Sequence, residues 1–255
     1  MRFVQIVFSP TGGTQKVADT ITSEWGKPVE KIDLSDTKTD FTAVNLEKED
    51  IAVVAVPSFG GRVPSLATER LEKIRANQAM CVVVCVYGNR AYEDTLIELH
   101  DIAEKSGFQV IAGIAAVAEH SIMHQYATGR PDEEDRNELQ SFAEKILAKL
   151  NGKPSDMSAP QIPGNRPYKK AGGAGLVPKA DRQCNACGLC AEKCPAQAIS
   201  RENPRATDGK KCISCMRCVS ICPQSARKVN SAMVSVAAMA IKKACSEKKR
   251  NELFL

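Results

Sequence analysis

The chemistry-bearing residues of this 255-residue chain are concentrated in two matched cysteine blocks, "CNACGLCAEKCP" from Cys184 to Pro195 and "CISCMRCVSICP" from Cys212 to Pro223. Each runs Cys-x-x-Cys-x-x-Cys-x-x-x-Cys-Pro, and the second repeats the first at an offset of 28 residues. Thiolates hold soft metals, and three thiols at this spacing suit a compact loop that wraps three corners of an iron–sulfur cube, with the fourth ligand coming from elsewhere. Zinc competes for Cys-x-x-Cys pairs, but it takes two pairs per ion, and blocks of three thiols plus a remote fourth do not supply them.

A second group of residues suits an anion joined to a planar ring. In "VQIVFSPTGGTQKVAD" a strand leads into Ser9-Pro10-Thr11-Gly12-Gly13-Thr14 and then into a helix. Backbone N–H groups, Ser and Thr hydroxyls and a helix N-terminus make such a loop a phosphate cradle. It lacks the lysine spacing of a nucleoside-triphosphate loop and the G-x-G-x-x-G pattern, which disfavours ATP and NAD there. Two further loops, "PSFGGRVPS" and "YGNRAYEDT", follow the third and fourth strands, at the sheet end where open parallel sheets bind ligands. The competing reading is that these are ordinary turns whose aromatics pack in the core.

The elements that must position these loops alternate strand-like runs with longer amphipathic stretches. Strands are predicted near Phe3–Phe8, Val29–Leu34, Ile51–Val56, Cys81–Tyr87 and Gln109–Val117, and helices near Gly13–Trp25, Ser65–Arg75, Tyr92–Lys105 and Asp132–Leu150. The fold class is therefore α/β, a five-stranded doubly wound parallel sheet; the unit after it, on the resemblance of its cysteine blocks to bacterial ferredoxins, is expected to be a small α+β domain that carries two clusters. The stretch 152–178 holds five of the 13 prolines and five of the 16 glycines, the texture of a linker or wrapping arm. The expected divisions are 1–151, the linker 152–178, a cysteine-rich domain 179–230, and a basic helix or tail 231–255.

The phosphate loop resembles that of flavodoxins, Ser/Thr-x-Thr-Gly-x-Thr, and the resemblance implies that Ser9, Thr11, Gly12, Gly13 and Thr14 hold the phosphate of FMN. It further implies that Pro57, Ser58, Phe59 and Gly60 in one loop, and Tyr87, Gly88, Asn89 and Tyr92 in another, enclose the isoalloxazine ring, with Phe59, Tyr87 and Tyr92 as its aromatic contacts. The cysteine blocks resemble the bacterial ferredoxin run, in which the cysteine before proline ligates the other cluster. By that resemblance Cys184, Cys187, Cys190 and Cys222 hold one [4Fe-4S] cluster, and Cys212, Cys215, Cys218 and Cys194 hold the second. The whole chain resembles flavodoxin–ferredoxin fusion proteins of anaerobic bacteria and archaea. The expected role is electron transfer between two clusters, FMN and external partners. The alternatives are a flavin-dependent reductase of a small oxidant such as a quinone or corrinoid, and a redox-sensing interaction module. No residue is assigned a catalytic role.

Composition constrains the rest. With 43% hydrophobic and 25% charged residues the chain reads as a globular protein. No apolar run approaches the ~20 residues of a spanning helix, and no export signal is recognised, so a cytoplasmic location is expected. Cys81 and Cys85, four residues apart on a strand and hence about 13 Å from one another, read as core residues rather than a disulfide; Cys245 reads as a spectator. His120 and His124 fall in a loop after the fifth strand, and His100 in a helix. Charge is divided, with net −7 over 1–151, +3 over 152–178 and +9 over 179–255. Partner proteins with acidic surfaces are expected; no nucleic-acid motif or membrane span is expected, and a homodimer stays open.

Overall fold

The computed structural model describes residues 2–152, 158–172 and 175–255; linker positions 153–157 and 173–174 lie outside the described residues. Five strands, β1 (Phe3–Val7), β2 (Val29–Asp33), β3 (Ile51–Pro57), β4 (Met80–Tyr87) and β5 (Gln109–Val117), form a parallel sheet in the order β2-β1-β3-β4-β5. This is the doubly wound, flavodoxin-like order, and it reverses between β1 and β3, where such sheets open a crevice at the carboxyl ends of their strands. The central strands β3 and β4 are nearly continuous Val, Ala and Cys runs because both of their faces are covered. Cys81 and Cys85 are wholly buried in β4, and burial pushes both thiols upward in pKa.

Helices α1 (Gly13–Ser23) and α4 (Glu133–Leu150) cover one face, and α2 (Ser65–Leu71) and α3 (Thr95–Lys105) the other. Their sequences dictate which side they turn inward. In α1 the buried residues Thr14, Val17, Ala18, Ile21 and Thr22 recur at helical spacing, as do Leu139, Phe142, Ala143 and Ile146 in α4. α4 starts at a capping box in which Asp132 and Asp135 each accept from the other's backbone N–H.

Residues 158–172 form a strap laid across α3. The amide nitrogens of Asn165 and Lys169 donate to Asp94 at 2.9 and 2.7 Å, the Lys169 ammonium meets Glu93 at 2.5 Å, and Arg166 and Tyr168 both bond Asp101. Burial opposes ionisation of Asp101, but these donors prevail and hold its carboxyl down to about 2.

The cysteine-rich unit contains the two-residue strands β6 (Lys179–Ala180) and β7 (Arg227–Lys228) and the single-turn helices α5 (Leu189–Glu192) and α6 (Arg217–Ser220). Then the chain departs from a simple tail. After helix α7 (Ser231–Ile241), strand β8 (Glu252–Phe254) returns to the main sheet and pairs antiparallel with β5, Ala115 opposite Glu252. The sheet is thus six-stranded, and the stretch expected as a helix or tail supplies its edge. Asn251 fixes this return: its side-chain oxygen accepts from Val117 N at 2.8 Å and its amide donates to Glu138 at 2.7 Å. Among the described residues, no helix is long and apolar enough to cross a membrane.

Candidate functional site

The two cysteine blocks repeat the same local features at a 28-residue offset. Helices α5 and α6 are 28 residues apart, and so are the left-handed backbone positions Ala186 and Ser214, Gly188 and Met216, and Gln197 and Ser225. Non-glycine residues seldom adopt that conformation, so its recurrence shows one tightly bent loop used twice. One small cavity is walled by Cys184, Cys187, Cys190 and Cys222. The other is walled by Cys194, Cys212, Cys215 and Cys218. Each therefore takes three thiols from one block and the pre-proline thiol of the other. The pre-proline sulfurs also match, since Ala198 N donates to Cys194 Sγ and Ala226 N to Cys222 Sγ, both at 3.3 Å. Such N–H donors favour a sulfur bearing negative charge. Burial pushes Cys215 up to about 11 and Cys218 up to about 12, so a thiolate at either is favoured only beside positive charge, which a metal ion would supply.

A much larger cavity, about 620 Å³, opens at the carboxyl ends of β1, β3, β4 and β5. That size falls within the range of cofactor sites. Thr11, Gly13 and Thr14 form its phosphate-loop end, where Gly12 begins α1 at φ 91° and has no side chain of its own to cap it, which leaves the N–H groups of the first turn other than that of Gln15 open toward the loop. Uncapped N–H groups at a helix start are suited to a phosphate. Pro57, Ser58, Phe59 and Gly60 form one wall, and Tyr87 and Gly88 another. The Phe59 loop is a tight turn in which Phe59 and Arg62 exchange backbone hydrogen bonds around Gly60 and Gly61, at φ 62° and 84°. A Cβ on Gly60 would run into the carbonyl of Gly172, so the strap crosses directly over this glycine. The donor set and the bare backbone fit FMN.

Four residues expected at this site lie outside the cavity wall. Ser9 instead accepts from Gln15 N at 2.9 Å and steadies the first turn of α1, and Gly12 serves as the cap position. Asn89 is turned toward the C-terminal segment: its amide donates to the carbonyls of Cys245 and Glu247, and its oxygen accepts from Lys249 N. Tyr92 donates to Glu252 at 3.0 Å and packs edge-on against Tyr87. The return of β8 recruits both residues, and no local motif announces that return.

The loop after the fifth strand, which the sequence suggests could approach the ring edge with His120 and His124 as proton relays, does line the cavity through residues 118–123, and sequence reasoning missed the other walls: Arg90, Gly172, Gly175, Ala237, Ala240 and Ile241 of α7, and residues 212–215. Among them His120 is held through Nδ1, which accepts from the backbone N–H of Ile122 and Met123 at 3.2 and 3.3 Å. The neutral ring then carries its proton on Nε2. Burial, followed by the charges of His124 and Arg90, depresses its pKa. His124 faces Glu119 at 2.6 Å, and His100 lies in α3 beside Asp101.

Residues 183–227 match the family of 4Fe-4S dicluster domains. A trichloroethene reductive dehalogenase of Dehalococcoides mccartyi is 42% identical over a 55-residue alignment covering 16% of this chain and 10% of that protein, so the chain spans about a tenth of that relative's length. Among solved structures, a flavodoxin from the domain Archaea is 14% identical, covers 60% of this chain and all of its own, and has a TM-score of 0.44. The Streptococcus pneumonia TIGR4 flavodoxin is 24% identical, covers 58% of this chain and 99% of its own, and has a TM-score of 0.42.

The cysteine-rich unit is docked on the sheet, not merely tethered to it. Arg70 of α2, 9% exposed, donates to Leu34 O at 2.5 Å and to Pro195 O at 2.9 Å. Arg217, between two cysteines of the second block, bonds the Ser35 hydroxyl and lies 3.7 Å from the Asp33 carboxylate. As a result Cys212, Ile213 and Cys215 stand in the walls of the second thiol pocket and of the large cavity at once. The first thiol pocket shares no wall with that cavity, and its Cys187 is exposed. An iron–sulfur domain set against a flavodoxin-like sheet has the composition of a redox protein.

Proposed function

We propose that the protein relays electrons between an external redox partner and FMN through two [4Fe-4S] clusters. Cys184, Cys187, Cys190 and Cys222 hold the outer cluster, and Cys212, Cys215, Cys218 and Cys194 hold the inner one. FMN occupies the large cavity, its phosphate at Thr11, Gly13 and Thr14 and its ring between the Phe59 and Tyr87 loops. The observation that carries this reading is that Cys212 and Cys215 wall both the inner thiol pocket and the cavity. Ligands of one centre are then the boundary of the next, and no wider gap has to be crossed.

When bound, FMN accepts one or two electrons whereas each cluster passes one, so the flavin end stores pairs that the clusters deliver singly. The chain's own residues bind, orient and enclose. Gly60 and Gly61 let the Phe59 loop turn tightly, the strap crosses over that loop at Gly172, and His120 lines the cavity. At the other end, exposed Cys187 marks where a partner approaches. The net +9 of residues 179–255 is lowered, not reversed, by roughly two negative charges per oxidised cluster, and it favours a partner with an acidic surface.

The test is anaerobic purification followed by iron, sulfide and FMN analysis and rapid reduction. About eight irons and one FMN per chain, with cluster bleaching preceding flavin bleaching under a protein-sized reductant, support the relay. Flavin that stays oxidised beside reduced clusters would remove it.

A further inference from the structure

The two thiol pockets are related by the 28-residue repeat, but two pairs of equivalent wall positions differ in charge: Leu189 of the outer pocket corresponds to Arg217 of the inner one, and the second pair runs the other way. Ile199 stands in the wall of the inner pocket, and its counterpart in the outer pocket is Arg227. Arg227 is 2% exposed and ranks among the largest fully buried side chains of the protein. Its partners are all neutral: NH1 donates to the Thr207 hydroxyl at 2.6 Å and to Pro178 O at 3.4 Å, and NH2 donates to Pro204 O. The Nε is buried with no hydrogen-bond partner. The neighbouring carboxylate, Asp181, is taken by Lys228 at 2.7 Å.

A buried guanidinium without a counter-charge is strongly unfavourable, because desolvation of the ion is left unrepaid. The arginine cannot shed its proton to escape that cost. Something anionic must therefore face it, and the chemistry of the wall it shares is four thiols. The inner pocket also has an arginine, Arg217, whose Nε is likewise buried without a partner, but that guanidinium has the Asp33 carboxylate at 3.7 Å and the Ser35 hydroxyl. The charges are thus placed unequally although the backbones match: Arg227 stands in the wall of the outer pocket alone, while its field also reaches Cys212 and Cys218 of the inner one.

We infer that Arg227 is the internal counter-ion of the outer [4Fe-4S] cluster, and that it makes this cluster the more readily reduced of the two. The inference rests on the assignment of clusters to the two pockets. Adding an electron raises the negative charge of a cluster by one, and a fixed buried cation stabilises the reduced form more than the oxidised one. The first electron taken up by the protein then resides at the outer pocket, and the inner cluster is filled only against this preference.

The experiment uses full-length protein prepared anaerobically, titrated potentiometrically with the two clusters followed by electron paramagnetic resonance. Arg227→Gln removes the charge and keeps polar reach; Arg227→Lys keeps the charge and removes the orphaned Nε. Expected for Gln is a tenfold or larger shift of the one-electron equilibrium away from the outer cluster, equivalent to about 59 mV and larger than any shift at the inner one, with iron content unchanged and Lys restoring most of it. If Gln sheds iron, loss confined to the Cys184 pocket with retention in Lys supports the counter-ion role equally. Unchanged potentials in an iron-replete Gln variant, equal shifts of both clusters, or loss of iron from both pockets in Gln and Lys alike would overturn it. Wild-type protein that binds no cluster at the outer pocket would instead refute the assignment on which the inference stands.

Discussion

Arg70 donates to the carbonyl of Pro195 at 2.9 Å, and this bond joins the helix layer of the sheet to the residue that follows a cluster-block cysteine. The same guanidinium holds Leu34 O, so one buried side chain spans the joint. Arg70→Ala leaves two buried carbonyls without donors and is expected to cost about 2–3 kcal/mol of stability, read by anaerobic denaturant unfolding. Electron transfer from clusters to flavin should slow at least tenfold in stopped-flow traces. Retention of both stability and rate would show that the joint does not set the alignment.

If the fourth thiol is exchanged between the blocks as proposed, the two pre-proline cysteines differ in function. Cys222→Ala is expected to remove one cluster's iron, leaving about four irons per chain, while reduced inner cluster still bleaches FMN. Cys194→Ala should remove the other and break the path to flavin. If Cys222→Ala instead emptied the pocket of Cys212, Cys215 and Cys218, the walls seen here would not be the ligand sets.

The strap depends on Asp101. Because its folded carboxyl is held at about 2, below the ordinary carboxylate range, its contribution is present above that range and lost as pH falls toward about 2. Pepsin should cut the wild-type strap increasingly between pH 4 and 2, whereas Asp101→Asn should be cut rapidly already at pH 4. Identical pH profiles for the two proteins would mean that Asp101 does not fasten the strap.

Gly60 combines a left-handed backbone with direct coverage by Gly172 O. A Cβ there is strained and displaces the strap, so Gly60→Ala is expected to weaken FMN binding about tenfold or more, about 1.4 kcal/mol, measured by flavin fluorescence on release. Cluster absorbance should not change. An unaltered dissociation constant would place the ring elsewhere.

Partner encounter and internal transfer should respond differently to salt. Raising ionic strength from 0.01 to 0.15 M shortens the screening length from ~30 to ~8 Å, and second-order reduction by an acidic carrier is expected to slow severalfold. The internal cluster-to-flavin rate should hold constant, since its partners are fixed by bonds such as Arg70 to Pro195. A carrier rate indifferent to salt would count against the basic docking surface.

What could be read in advance follows how local the signal is. The five parallel strands were legible because Val, Ile and Ala runs at regular intervals admit little else, and their ends differ from expectation by a residue or so, as at Val7 and Pro57. The thiol sets were legible through a recognised spacing, and the structure brings those eight sulfurs together in two groups of four. Strand β8 was not legible: three residues of Glu, Leu and Phe carry no periodicity, and their placement depends on Asn251 meeting a strand more than a hundred positions away. The same distance explains Asn89 and Tyr92, whose loop looks like a ring clamp until the returning segment claims it. Residues 212–215 as a cavity wall were hidden for a further reason, since docking of two units is written in scattered arginines such as Arg70 and Arg217.

Because residues 252–254 rejoin the sheet that residues 3–7 begin, the iron-carrying unit is topologically an insertion, pinned at both of its ends. A pendulum on a single hinge would have to search for its contact before every turnover. This arrangement has no such search, so internal conduction should be indifferent to solvent viscosity and fall off only with the fixed spacing of its stations.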